Sequence, residues 1–155
     1  MWCLHRCLMS ITAIRPASAV VLLTAGCFLS TGPSAEDLEK HRAIWAASAI
    51  TSYTYDYTLG PTFFNNLAGH PIRIQVSHGA VSGATFLDSG AAVPGAATSL
   101  PTIDGVFDNV AHLLESDSID KIQFDARFGY PTSYHVAGPP DANGTVTVAN
   151  LVPSP

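Results

Sequence analysis

Ile72-Arg73-Ile74-Gln75-Val76-Ser77-His78-Gly79-Ala80-Val81-Ser82-Gly83-Ala84-Thr85-Phe86-Leu87 is the stretch on which the fold turns. Ile72, Ile74 and Val76 alternate with Arg73, Gln75 and Ser77, the period of a half-buried strand. His78-Gly79 reads as a tight hairpin turn, with glycine supplying a positive φ. Ala80 to Leu87 then returns as a partner strand. Upstream, Tyr53, Tyr55, Tyr57 and Leu59 alternate with Thr54, Asp56 and Thr58, which predicts a strand with an aromatic inner face. The tyrosine row reads as core.

Helices flank these strands. Ser34 is an expected N-cap with Asp37 three residues on, and Glu36 and Glu39 suit the positive end of a helix dipole. Leu38, Arg42, Trp45 and Ala49 fall near one stripe, so a helix is expected from Ala35 to about Ala49. Asp88 to Pro101 is rich in Gly, Ala, Ser and Pro and reads as a loop. Thr102 is the next expected N-cap. Ile103, Val106, Phe107, Val110, Leu113 and Leu114 then recur at helical spacing, and Ser116 to Ser118 end that helix.

Three more strands are expected. Ile122, Phe124 and Ala126 alternate with Lys121, Gln123, Asp125 and Arg127, and Phe128-Gly129-Tyr130-Pro131 turns the chain. Thr132 to Ala137 returns, Gly138 to Asp141 turns again, and Thr145 to Leu151 forms the last strand. The order is α-β-β-β-α-β-β-β. Short connections make neighbouring strands antiparallel. The expected fold is α+β: an antiparallel sheet of about six strands with two helices on one face.

The N-terminal segment carries a different message. Arg6 and Arg15 precede a run from Ala17 to Phe28 that is apolar except for Ser18 and Thr24, and Ala25-Gly26 leads into Cys27. This is the layout of a secretory signal, and the run is too short to span a bilayer. Cys27 resembles the acylated cysteine of bacterial lipoproteins, although Thr24 stands where Leu is usual and Leu23 lies one place back. The expected organisation is a signal peptide over 1–26, a short tether over 27–34 and one α+β domain over 35–155. Met1 to Leu8 adds two cysteines and a Trp that a signal does not need, so Met9 is the expected initiator.

Cleavage before Cys27 would leave about 129 residues, enough for one core. Five basic residues would face twelve acidic ones, a net charge of −7. That balance argues against nucleic acid and against anionic headgroups as partners. Cys3 and Cys7 would leave with the signal, so the mature domain would have no disulfide and would rest on packing alone.

From Trp45 onward the chain resembles an uncharacterised family of small bacterial envelope lipoproteins, a domain-of-unknown-function family. The matching pieces are Trp45 with Tyr53-Thr54-Tyr55, then Ile74 to Val81, then Thr102 to Asp108, and last Phe124 to Pro131. Members often carry cysteines in the loop after the first strand, and 60–69 has none here. The resemblance implies an envelope location, and no activity.

Searches for chemistry return little. His41, His70, His78, His112 and His135 form no zinc-helix spacing. Asp104 and Asp108, one helical turn apart, are too few for calcium. There is no nucleophile elbow, P-loop or dinucleotide fingerprint. Asp125, Arg127 and Tyr130 are the possible binding residues, with a structural role in the turn as the simpler reading. No catalytic residue, metal or cofactor is expected. The expectation is a lipid-anchored envelope protein, outer membrane rather than inner, acting as a non-enzymatic binding or structural module with a possible protein partner. The alternative is a small periplasmic-side enzyme with a dispersed Asp/His/Tyr site. A deep polar cleft holding converging Asp, His and Tyr side chains would favour the enzyme, and a flat apolar patch on the sheet face would favour protein binding.

Overall fold

The aromatic alternation forms β1 (Tyr53–Leu59), and the hairpin read from sequence forms β2 (Ile72–Ser77) and β3 (Ala80–Phe86). The computed structural model describes residues 32–63, 66–139 and 143–155. The expected signal peptide and most of the tether lie outside the described residues. Helix α1 (Ala35–Ala47) precedes β1. A four-residue helix α2 (Ala96–Ser99), unforeseen in the Gly/Ala/Ser loop, precedes α3 (Ile103–Glu115). Then follow β4 (Ile119–Phe124), β5 (Pro131–Val136) and β6 (Gly144–Pro153). The six strands make one antiparallel sheet in the order β3-β2-β1-β6-β5-β4. The α+β fold and the order of its long elements are as expected.

Two three-stranded meanders meet at the β1–β6 seam. Tyr53, Tyr55 and Tyr57 lie opposite Val76, Ile74 and Ile72, and Tyr57 also lies opposite Val148. Aromatic and β-branched side chains in such pairs stabilise a sheet by about 0.2–1 kcal/mol each. On one face these residues pack with Leu38 and Trp45 of α1 and Ile103, Val106, Phe107 and Val110 of α3, all buried. Polar bonds hold the helices in place. Trp45 Nε1 donates to Asp104 Oδ1 at 3.2 Å, Tyr53 Oη accepts from the Ile103 N–H at 2.9 Å, and Tyr55 Oη donates to the Pro101 carbonyl. Arg42 donates to Asp108 at 2.9 Å and lies over the Phe107 ring.

Local chemistry sets the boundaries. Ser34 Oγ accepts from the Asp37 N–H, and Thr102 Oγ1 accepts from the Gly105 N–H, both as expected of N-caps. α1 stops at Ala47, two residues early. Ser48 Oγ donates to the Trp45 carbonyl, and Ala49 takes φ 53°, which reverses the chain. The fourth strand starts and ends earlier than its alternation predicts. Asp125 Oδ1 accepts from the N–H groups of Arg127 and Phe128, so a local turn wins over the strand ladder. The Arg127 guanidinium lies over the Phe128 ring.

Asp56 also departs from its outward-facing reading. It is only 8% exposed. Arg73 grips its carboxylate with two bonds at 2.8 and 3.0 Å, and Asn150 Nδ2 adds a third at 2.8 Å. The β1–β6 register shifts between Thr54 and Asp56, and Asn150 sits opposite at φ 54°. The bulge is what turns the asparagine amide toward Asp56.

Candidate functional site

Strand order places β4 at a sheet edge, and α1 lies on the sheet face nearby. Between them is a cleft of about 470 Å³. Asp37 and His41 line it from α1, spaced i, i+4 and therefore on one helix face. Asp120, Lys121, Gln123 and Phe124 line it from β4, and Gly32-Pro33 closes one end. The His41 ring stacks on Phe124, with centroids 3.9 Å apart and planes within 2°. His41 Nδ1 is buried and has no hydrogen-bond partner.

Asp120 joins this cleft to the outer sheet face. The β4–β5 register shifts between Ile119 and Lys121, which makes Asp120 the extra residue of a bulge. Its Oδ1 lies 2.8 Å from His135 Nδ1. His135 in turn lines a smaller hollow of about 170 Å³ with Lys121, Gln123, Ser133 and Thr145. Bulges re-aim side chains at sheet edges, and here one carboxylate serves both a cleft and an imidazole.

A second His–Asp pair occupies the opposite end of the sheet. His70 Nδ1 lies 2.5 Å from Asp88 Oδ2, in a hollow of about 530 Å³ that includes Asn66, Phe86 and Ser89. The His70 hydrogen bond holds the Asp88 carboxyl below the usual carboxylate range. The pair closes the open end of the β2–β3 hairpin, where the Leu87 N–H also donates to the Pro71 carbonyl.

The tyrosines take no part in either site. Burial pushes the Tyr53 phenol up to about 12 and raises Tyr55, Tyr57, Tyr130 and Tyr134 as well. They are neutral core groups at physiological pH. Of the three residues singled out for binding, Asp125 is occupied by the turn N–H groups and Arg127 by Phe128. Tyr130 is buried, edge-on to Trp45 at 6.5 Å. Gly129, at φ 77°, presses this turn against α1.

Among the described residues, no three His, Cys, Asp or Glu side chains are placed to hold a metal. The cleft itself escaped the sequence reading. Only the Asp37/His41 spacing was visible there; Asp120 and His135 meet through a bulge that no local pattern announces.

The molecule is thus an α+β domain with a helix-flanked antiparallel sheet and a polar cleft at one edge. Over residues 37–153 it matches the model described as a family of unknown function (DUF6174), and the chain belongs to that family. No curated protein and no solved structure matches it.

Proposed function

We propose that the chain is a lipid-anchored protein of the bacterial envelope, held at the outer membrane by acylated Cys27, whose domain handles a small polar molecule in the α1–β4 cleft. The signal layout supports the location: Arg6 and Arg15, the apolar run to Phe28, and Cys27 behind Ala25-Gly26. No helix among the described residues is long and apolar enough to cross a membrane. The organisation into signal, tether and domain at 26/27 and 34/35 belongs to the same proposal.

The cleft supports the second half. Its carrying observation is that Asp37 and His41 of α1 meet Asp120, Lys121 and Gln123 of β4 around one cleft, beside the apolar Ile122 and Phe124. The described large apolar residues that reach solvent, Ile44, Leu87 and Val152, are spread over separate elements and offer no docking patch. A dispersed Asp/His site therefore fits better than a docking module, with the tyrosines left out. Asp120 of this cleft also engages His135 Nδ1 across the bulge.

Two experiments test this. Cys27→Ala should move the protein from the membrane to the soluble fraction and abolish acyl labelling; a variant still held at the membrane refutes anchoring through this residue. Purified full chain should turn over a member of a broad panel of small polar substrates, and Asp120→Asn and His41→Gln should each remove that turnover by roughly a hundredfold or more. Saturable binding without turnover would return the domain to the binding-module reading.

A further inference from the structure

Only a short stretch of chain joins Cys27 to the cleft. Cys27 and Gly32 are five residues apart, and an extended chain spans at most about 3.6 Å per residue, so roughly 18 Å separates them at most. Gly32 and Pro33 are themselves part of the cleft wall. A cysteine acylated in one leaflet would therefore leave Gly32 within that reach of the headgroup layer, which is about 5–8 Å deep on each side of the hydrocarbon. The polar molecule present there at highest concentration is a lipid headgroup.

The lining decides which headgroup. Asp37 and Asp120 put two carboxylates in the cleft against the one ammonium of Lys121. A purely anionic headgroup meets net repulsion there. A headgroup carrying both an ammonium and a phosphate is matched twice: the ammonium by the carboxylates, the phosphate by Lys121. The acidic balance of the domain, five basic residues against twelve acidic ones after Cys27, disfavours anionic lipid in the same direction. We infer that the cleft takes the ammonium-bearing headgroup of an aminophospholipid from the leaflet that holds Cys27. This rests on the anchoring and cleft readings above and names the ligand class of that site.

The test uses isotope-labelled full chain carrying its lipid, held in detergent, with phosphoethanolamine, ethanolamine and inorganic phosphate as soluble probes. Phosphoethanolamine should shift the backbone signals of residues 120–124 and the His41 ring saturably. Asp120→Asn and Lys121→Gln should each weaken it about tenfold or more. Asp88→Asn, at the opposite sheet edge, should leave it unchanged. In nanodiscs, phosphatidylethanolamine should shift the same signals without added probe, and pure phosphatidylglycerol should not. Absence of a saturable shift overturns the inference, as does phosphate acting as strongly as phosphoethanolamine. Ethanolamine binding equally well with no nanodisc effect assigns the site to a free amine and overturns the lipid source. Repeating the titration on the Cys27→Ala chain separates cleft from anchor. A probe that binds there, while that variant remains in the membrane fraction, leaves the cleft intact and removes the anchor.

Discussion

Replacing Gly129 by alanine tests how the β4–β5 turn is set against α1. Gly129 has φ 77°, and a Cβ added there would lie 2.6 Å from the His41 carbonyl oxygen and 2.9 Å from Ile44 Cβ. Left-handed backbone costs an L-residue about 1–2 kcal/mol. Overpacking against a helix backbone adds about 1–3 kcal/mol, because neither contact is the far end of a flexible side chain. Gly129→Ala should thus destabilise by about 2–5 kcal/mol. Gly79 supplies the control: its φ is 78°, and a Cβ there meets nothing within 4 Å. Gly79→Ala should cost only the backbone part, about 1–2 kcal/mol. Urea unfolding of both variants, followed by Trp fluorescence and far-UV circular dichroism, gives the difference directly when the two probes coincide. Equal losses in the two variants would refute the packing argument and detach the turn from α1. Gly129→Ala should also displace His41, so its ring signals should move where those of Gly79→Ala do not.

Two pH predictions follow. Burial opposes ionisation of Asp56, but the Arg73 and Asn150 hydrogen bonds and the Arg73 charge outweigh it, so its folded value lies below the usual 3.8. The stabilisation is therefore complete above 3.8 and disappears as pH falls through the folded value. Asp56→Asn should be less stable than the parent by about 1–3 kcal/mol at neutral pH, with the gap closing below pH 4 in acid unfolding curves; a constant gap would refute the ionic account. All five tyrosines are raised by burial, Tyr53 to about 12. Their contribution is complete below the unfolded value near 10 and is lost as pH rises toward the folded values. Absorbance at 295 nm should show the native protein ionising at higher pH than the same chain in urea; coincident titration curves would contradict the buried assignment.

Where the sequence was legible, local geometry and burial agreed. Ser34 and Thr102 are caps by side-chain chemistry alone. The 72–87 hairpin has both its alternation and its turn residues, His78 and Gly79, at positive φ. α3 carries a wide apolar stripe. The misreadings share a cause, since each involves a polar side chain bonding to backbone or across the sheet. Asp125 caps a turn inside an apparently alternating strand, and Asp56 is drawn inward by Arg73 and Asn150. The four residues of α2 lie in a segment whose composition signals only a loop. The candidate cleft was illegible for a related reason. Its two walls, α1 and β4, are about eighty residues apart in the chain, and strand order alone brings β4 to the edge.

That strand order has a kinetic corollary. The seam between the two meanders pairs residues 53–59 with residues 146–153, the first strand with the last. Until the C-terminal ten residues are available, the tyrosine row of β1 lacks one flank and both meanders keep an open edge. Contacts this distant in sequence are slow to form. A chain emerging N-terminus first therefore stays pliable for nearly its whole length. Under the export proposed above, that delay would keep the polypeptide threadable until its sheet closes on the far side.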